Sequence, residues 1–350
     1  MGMITSTVSM KPLVSICIPA YNGARFLRQC IDSILAQTFA DFELLVVDDQ
    51  SSDDTLSIVE SYAAQDPRIR VLRNEQNLGL VGNWNRCVEL ARGEWIKFVF
   101  QDDLIAPGCI ERMLSACETD TALVACAREF LFDPETTQEV REWYLGSEST
   151  IREAWGKEKK ISAEKFCQAT LRQLGTNLIG EPTAVLLHRR VFQIFGDFNP
   201  VLIMSCDLEY WARVAVHTGL MVIAEPLATF RVHGGATSSE NRASRGYRMD
   251  VLDDLVILHE FAFHLAYEPL RAAAAKQQPP MDMEAIFLAK AKWARNIAEH
   301  AANDSKSPDP SLLKDWVEVA RSYPGISAIP RQHGFWGRLR GCFRRHSPVG

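Results

Sequence analysis

Two adjacent carboxylates, Asp102 and Asp103, end the apolar run WIKFVF, and a second pair, Asp48 and Asp49, ends the run FELLVV. Neighbouring acids beyond a buried run repel each other and are costly to desolvate, so a cation, hydrogen-bond donors or water must meet them. Mg²⁺ or Mn²⁺ takes carboxylate oxygen and bridges to phosphate oxygens, while a separate aspartate accepts a base N–H or a ribose hydroxyl. Two such pairs on one edge suit a nucleoside diphosphate with its cation, although loop or cap hydrogen bonds are the plainer use. Two further pairs have other settings. Asp53-Asp54 follows Ser51-Ser52 at a helix start and is expected to cap it; Asp253-Asp254 falls in a helical pattern and is expected on a solvated face.

The elements that must position these acids follow from periodicity. From Leu13 to about Phe130, short apolar runs (LVSICI, FELLVV, IRVL, EWIKFVF) alternate with amphipathic stretches at 26–37, 55–62 and 80–90. Strands alternating with helices predict βαβ units and a largely parallel α/β sheet of Rossmann-like, nucleotide-binding type. Ligands in such sheets bind beyond the carboxyl ends of the strands. That edge would gather Pro19, Ala20, Tyr21 and Asn22; Asp48 and Asp49; the cluster from Asn74 through Asn77 to Gly79; and Asp102 with Asp103. Further along, a helix is predicted over 162–172, a strand at PTAVLLH, a helix at DLEYWARVAVHT closed by Gly219, and two strands at LMVI and LATFRVH. Beyond Asn241 the pattern turns helical, at 249–267, 283–302 and 312–322. The reading is a domain over 11–240 followed by a helical C-terminal extension over 241–350.

Composition narrows the function class. The chain has 350 residues, 47% of them hydrophobic, with 38 basic against 44 acidic side chains and a net charge of −6. That balance argues against nucleic acid as a partner. No apolar stretch approaches the ~20 residues of a membrane span, and the first residues lack the regions of a secretory signal, so a cytoplasmic location is expected. The nine cysteines form no Cys-x-x-Cys pair and several sit in apolar runs, as reduced core residues do. Any metal is then held by oxygen-rich side chains.

The chain has neither G-x-x-x-x-G-K-[ST] nor G-x-G-x-x-G after its first strand. It has IPAYNGARFLRQCIDSILAQT, VVDDQSSDDT, NLGLVGNWN and GEWIKFVFQDD instead, and the order and spacing of these segments resemble family 2 glycosyltransferases of the GT-A fold over about residues 13–240. The resemblance implies a nucleotide-diphosphate sugar as donor and Mn²⁺ or Mg²⁺ as cofactor. It implies nucleotide contacts at Pro19, Ala20, Tyr21, Asn22, Asp48, Asp49, Asn77 and Gly79, and a metal at Asp102 and Asp103, with Asp102 also facing the diphosphate. The commoner family motif is Asp-x-Asp-Asp, and Phe100 stands at its first acidic position.

Inverting glycosyl transfer needs a general base near the acceptor hydroxyl and a stabilised diphosphate. The segment SCDLEYWARV resembles the family's acidic-Asp-x-Glu-x-Trp segment, which implies Asp207 as base, with Glu209 and Trp211 at the substrate and Cys206 where an acid is common. The plainer role for Asp207 is a helix cap. IGEPTAVLLHRR implies Glu181 facing sugar or acceptor. FRVHGG implies that Arg231 neutralises the diphosphate and that His233 joins the metal. Trp84 and Trp95 sit in periodic settings that predict core packing. The Gln-x-x-Arg-Trp motif of processive synthases is absent, so single-sugar transfer to a glycan or lipid-linked acceptor is expected. The C-terminal tail RQHGFWGRLRGCFRRH mixes aromatics with arginines, and suits peripheral contact with an anionic membrane surface as well as it suits a solvated tail. Two rivals are a nucleotidyltransferase, which usually carries a basic Gly-rich loop where PAYNGARF stands, and a non-catalytic sugar- or nucleotide-binding module.

Overall fold

The computed structural model describes residues 11–147, 151–235, 248–304 and 309–327. The myriad of short apolar runs becomes one sheet. Its first half consists of β1 (Val14–Ala20), α1 (Ala24–Leu35), β2 (Phe42–Asp48), α2 (Thr55–Ala63), β3 (Ile69–Arg73), α3 (Gly79–Leu90) and β4 (Trp95–Phe98). Strands β3, β2, β1 and β4 lie side by side in that order, all parallel. β1 and β2 are buried on both faces, as a parallel sheet covered by helices requires. Leu27, Cys30, Ile31 and Ile34 of α1 pack with Ile16, Ile18, Leu44 and Val46 of the strands.

The second half continues with β5 (Leu104–Ile105), α4 (Cys109–Ser115), β6 (Leu123–Phe132), α5 (Gln138–Ser147), α6 (Ile151–Trp155), β7 (Lys160–Ile161) and α7 (Ala163–Arg172). β8 (Val185–His188), α8 (Arg190–Phe195), α9 (Cys206–Thr218) and β9 (Leu220–Val232) complete it. Here the sheet is mixed rather than parallel. β8 runs antiparallel between β4 and β6, β9 lies parallel to β6, and β5 and β7 pair antiparallel with β9. The reversal has a local cause: β8 starts beside the end of β4, with Leu186 opposite Lys97, so it can only run back along that strand. It thereby delivers Glu181 and Thr183 to the edge where Asp102 and Asp103 stand. The two strands expected at LMVI and LATFRVH are one strand, β9, whose register with β6 shifts where Pro226 interrupts the ladder.

Gly219 ends α9 at φ +64°, and a Cβ there would sit 2.0 Å from the carbonyl oxygen of Ile161, so only glycine fits. The helical stretch expected at 249–267 is broken into a π-helical turn (Arg248–Asp253), α10 (Asp254–Phe263) and a 3₁₀ turn (Leu265–Tyr267), with α11 (Glu268–Ala275) opened by Pro269. These belong to a first compact unit that ends at Glu284; a second unit starts at Ala285. Helices α12 (Met283–Ala302) and α13 (Ser311–Ser322) follow, and in the second unit the Arg295 guanidinium lies over the Trp316 ring. Among the described residues no helix is long and apolar enough to cross a membrane. The basic aromatic tail lies outside the described residues. The cysteines that are described are all free thiols, and all but Cys117 are buried.

Candidate active site

The two acids after β4 point different ways. Asp103 is 1% exposed: the Thr183 hydroxyl donates to its Oδ2 at 2.5 Å and the Arg231 backbone N–H donates to its Oδ1 at 3.0 Å. Burial, then the neighbouring charge of Asp102, push its pKa well above the usual carboxylate range. Asp102 is more open, and its Oδ2 lies 3.0 Å from Nε2 of His233 at the end of β9. Both oxygens of Asp103 already accept hydrogen bonds inside the protein, so Asp102 is the more open of the two carboxylates expected at the metal. Asp102 and His233 are the pair brought together. Among the described residues no group of three metal-ligating side chains forms, so a cation here would draw its other ligands from phosphate and water. One carboxylate with substrate phosphates is a usual arrangement for Mg²⁺ and Mn²⁺, and an added imidazole favours Mn²⁺.

Arg231 also frames this corner. Its Nε donates to the Asp102 carbonyl at 2.8 Å and its Nη2 to Gln29 at 2.7 Å, while the guanidinium lies 4.5 Å above the Phe26 ring. His233 packs against the same ring at 4.6 Å, its plane tilted by 57°. Phe26 of α1 thus holds both the cation and the imidazole in place. Phe100, where the family commonly has an acid, packs on Trp84 at 4.9 Å instead. Trp84 and Trp95 are core residues, as expected.

The loops after β1 and β2 interlock. Tyr21 N–H donates to Gln101 Oε1 at 2.9 Å and Gln101 Nε2 donates back to the Tyr21 carbonyl at 3.0 Å, so the Tyr21 loop is pinned to the acidic segment. The Tyr21 side chain remains half-exposed, whereas Pro19 is partly and Ala20 fully buried at the end of β1. Asn22 takes φ 47° and accepts from Ser52 N–H at 2.8 Å. Asp53 accepts from the N–H of Thr55 at 3.0 Å and of Ala24 at 3.1 Å, so it caps the starts of both α2 and α1. Asp48 is buried and lies 3.3 Å from Arg73. Asp49 accepts from Asn74 at 2.7 Å, Leu78 N–H at 2.8 Å and Gly79 N–H at 3.0 Å; its carboxylate caps α3. Asn77 donates to the Asp49 carbonyl at 3.0 Å, and Gly79 takes φ +74°. Of this set the side chains of Tyr21, Asn22 and Asn77 are exposed, and Arg73 and Gln101 are partners that pattern reading missed.

Asp207 lies in the first turn of α9, one residue inside Cys206, and not at the cap, which is Ser205. Its Oδ1 accepts from Leu208 N–H at 2.7 Å and its Oδ2 from Asn177 at 3.4 Å. Burial pushes its pKa up to about 7, the Leu208 hydrogen bond opposes this, and the charge of Glu181 adds to it. Glu181 is ion-paired with Arg128 of β6. The neighbouring Cys206 is a buried thiol, raised by burial and by the charge of Asp207.

Glu209 and Trp211, expected at the substrate, are core residues. Glu209 is 0% exposed; Arg213 donates to both its carboxylate oxygens and Tyr267 to Oε1 at 2.8 Å. Trp211 is 1% exposed and its indole N–H donates to the Gly180 carbonyl at 3.0 Å. Glu209→Ala would strand a buried guanidinium, and chemical denaturation should show a loss of about 3–5 kcal/mol.

The model of the family "Glycosyl transferase family 2" matches residues 15–182. The chain belongs to this family. It is 33% identical over 326 residues to an uncharacterized protein, MT1568, of Mycobacterium tuberculosis, covering 92% of this chain and 98% of that one. It is 28% identical over 275 residues to the putative glycosyltransferase EpsH of Bacillus subtilis, covering 71% and 75%. Among solved structures, S. aureus TarS 1-349 with UDP-GlcNAc superposes with a TM-score of 0.56 at 17% identity, covering 91% of this chain and 81% of that one. The mannosyltransferase PcManGT of Pyrobaculum calidifontis, with GDP-Man and Mn²⁺, gives 0.54 at 18%, covering 92% and 85%. The fold is accordingly GT-A, and the enzyme is a glycosyltransferase, which leaves the nucleotidyltransferase reading without support. Asp207, Arg231 and His233 lie beyond the matched residues, so their part in a family 2 enzyme rests on geometry.

Proposed function

We propose that this family 2 glycosyltransferase moves a single sugar, with inversion and with a divalent cation, from a nucleotide-diphosphate donor to a hydroxyl of a glycan or lipid-linked acceptor. One observation carries this reading: residues 177–183 run from Asp207 to the acidic pair. Asn177 donates to Asp207 at 3.4 Å, and Thr183 donates to Asp103 at 2.5 Å. Glu181 lies between them in this segment, and its charge adds to the raised pKa of both aspartates.

In this mechanism the nucleotide lies along the Tyr21 and Asn22 loop, near Asp48, Asp49, Asn77 and Gly79. Asp102 and His233 would hold a divalent cation, which would supply positive charge to stabilise the departing diphosphate. Arg231 adds positive potential at the same corner. Asp207 takes the proton from the acceptor hydroxyl as its oxygen bonds to the anomeric carbon and the bond to the diphosphate oxygen breaks. One displacement of this kind inverts the anomeric configuration. Glu181, fixed by Arg128, faces the sugar or acceptor hydroxyls. A cytoplasmic enzyme working on a lipid-linked acceptor could also use its basic aromatic tail at the membrane.

Thermal melting with UDP, GDP and dTDP and their sugars, each with and without Mn²⁺ or Mg²⁺, tests the donor site. A ligand at 100 times its Kd that binds only the folded state stabilises by about 2.7 kcal/mol. Cation-dependent stabilisation by one nucleotide is expected. No shift with any nucleotide at saturating concentration would overturn the donor assignment.

A further inference from the structure

Asp253 does not lie on a solvated face, contrary to what its helical setting predicts. It is 0% exposed, and its Oδ2 accepts three consecutive backbone N–H groups: Ile203 at 3.1 Å, Met204 at 2.6 Å and Ser205 at 3.1 Å. These residues lead directly into α9, whose own cap residue Ser205 makes no side-chain cap bond. A carboxylate from about fifty residues downstream therefore does the work of a cap at this helix start. It also sits where a helix N-terminus favours negative charge.

Its neighbour reaches the other support of Asp207. A Cβ on Gly175, which takes φ +73°, would lie 3.2 Å from Asp254 Oδ1. Two residues on, Asn177 donates to Asp207 Oδ2. The Asp253-Asp254 pair therefore rests against both segments that hold Asp207, the 203–205 entry and the 175–177 turn. Burying a carboxylate wholly is expensive, and an apolar side chain would fill a core position at lower cost. Three aligned amides offset that cost and fix the chain at this point.

We infer that Asp253 is a positioning residue for Asp207: by holding the amides of Ile203, Met204 and Ser205 it sets where the first turn of α9 presents its carboxylate. The inference rests on the proposed role of Asp207 as base. It predicts a defect in turnover and not in donor binding, because the bonds that Asp253 accepts from Ile203, Met204 and Ser205 support the segment that carries Asp207. A displacement on the order of 1 Å at a reacting group costs about 10²-fold in rate.

The test compares Asp253→Ala, Asp253→Asn and Asp207→Asn with the unmutated enzyme. The readout is release of nucleoside diphosphate from UDP-, GDP- and dTDP-sugars with Mn²⁺, water standing in for the acceptor. Asp253→Ala is expected to lower kcat by about 10- to 100-fold with donor KM within about twofold. Asp253→Asn, which keeps the oxygen and loses the charge, is expected to fall between the two. If the alanine variant does not fold, the asparagine variant carries the test through the same split of kcat from KM. Wild-type kcat in a folded variant would overturn the inference, and so would kcat and apparent affinity falling together in proportion to the folded fraction. An inactive Asp207→Asn beside fully active Asp253 variants would refute the positioning role alone, whereas an active Asp207→Asn would refute the base.

Discussion

Asp207→Asn is expected to lower kcat by about 10²- to 10⁴-fold, the usual contribution of a general base, while donor binding stays within about twofold of the unmutated enzyme. The amide keeps the shape of the side chain and can still accept from Leu208 N–H, but it cannot take a proton. The pH profile gives the same residue a second signature. Burial pushes the Asp207 pKa from 3.8 up to about 7, so turnover should rise with pH across that value and be lost below it. A base at the ordinary carboxylate value would leave the profile flat down to about pH 5. Stability runs the other way for this group. The folded state binds the proton more tightly than the unfolded state, so the contribution of Asp207 falls as pH rises from about 4 to about 7. Asp207→Asn should therefore melt no lower than the unmutated protein at pH 8, which separates lost chemistry from lost fold.

Asp102→Asn carries the second large effect. Removing the one accessible carboxylate of the Asp102–His233 pair should lower cation-dependent turnover by on the order of 10²-fold or more, because a bound cation contributes several kcal/mol to stabilising the leaving group. The Mn²⁺ concentration for half-maximal turnover should rise with it. Asp103→Asn should behave differently. Its carboxyl is buried, has a raised pKa and is bonded to Thr183 and the Arg231 amide, and an asparagine can accept from that amide and donate to the hydroxyl. Near-normal Mn²⁺ dependence is expected for it. A Mn²⁺ titration of the two variants that found Asp103 critical and Asp102 dispensable would reverse the assignment.

The contrast between these neighbours shows how far the residues alone could be read. Strand ends are legible because apolar runs and Gly- or Asn-rich turns follow directly from burial and backbone sterics, and ligands gather beyond such ends. Which of two adjacent carboxylates faces outward depends on how the chain leaves the strand, and Thr183 and Arg231, from 80 and 128 residues away, decide it here. The same limit applies to Asp49, where strand-end position is compatible with both a ligand and the capping of α3. Glu209 fails for a simpler reason. At about 100° per residue it lies some 200° around α9 from Asp207, facing Arg213 and Tyr267 in the core. Trp211 lies on the Asp207 side but one turn deeper, with its N–H committed to Gly180. Asp253 left no signal at all, since a helical acid that holds a loop fifty residues earlier looks like any solvated helical acid. The antiparallel entry of β8 was equally hidden, because PTAVLLH has the same apolar pattern in either direction.

The most direct measurement is nucleoside diphosphate release from UDP-, GDP- and dTDP-sugars by the full chain, with Mn²⁺, with Mg²⁺ and with chelator. The account predicts that one class of donor is turned over, that chelation abolishes this and added cation restores it, and that Asp207→Asn lacks it. Turnover that persists in chelator or in Asp207→Asn, or no turnover with any donor despite nucleotide binding, would contradict it.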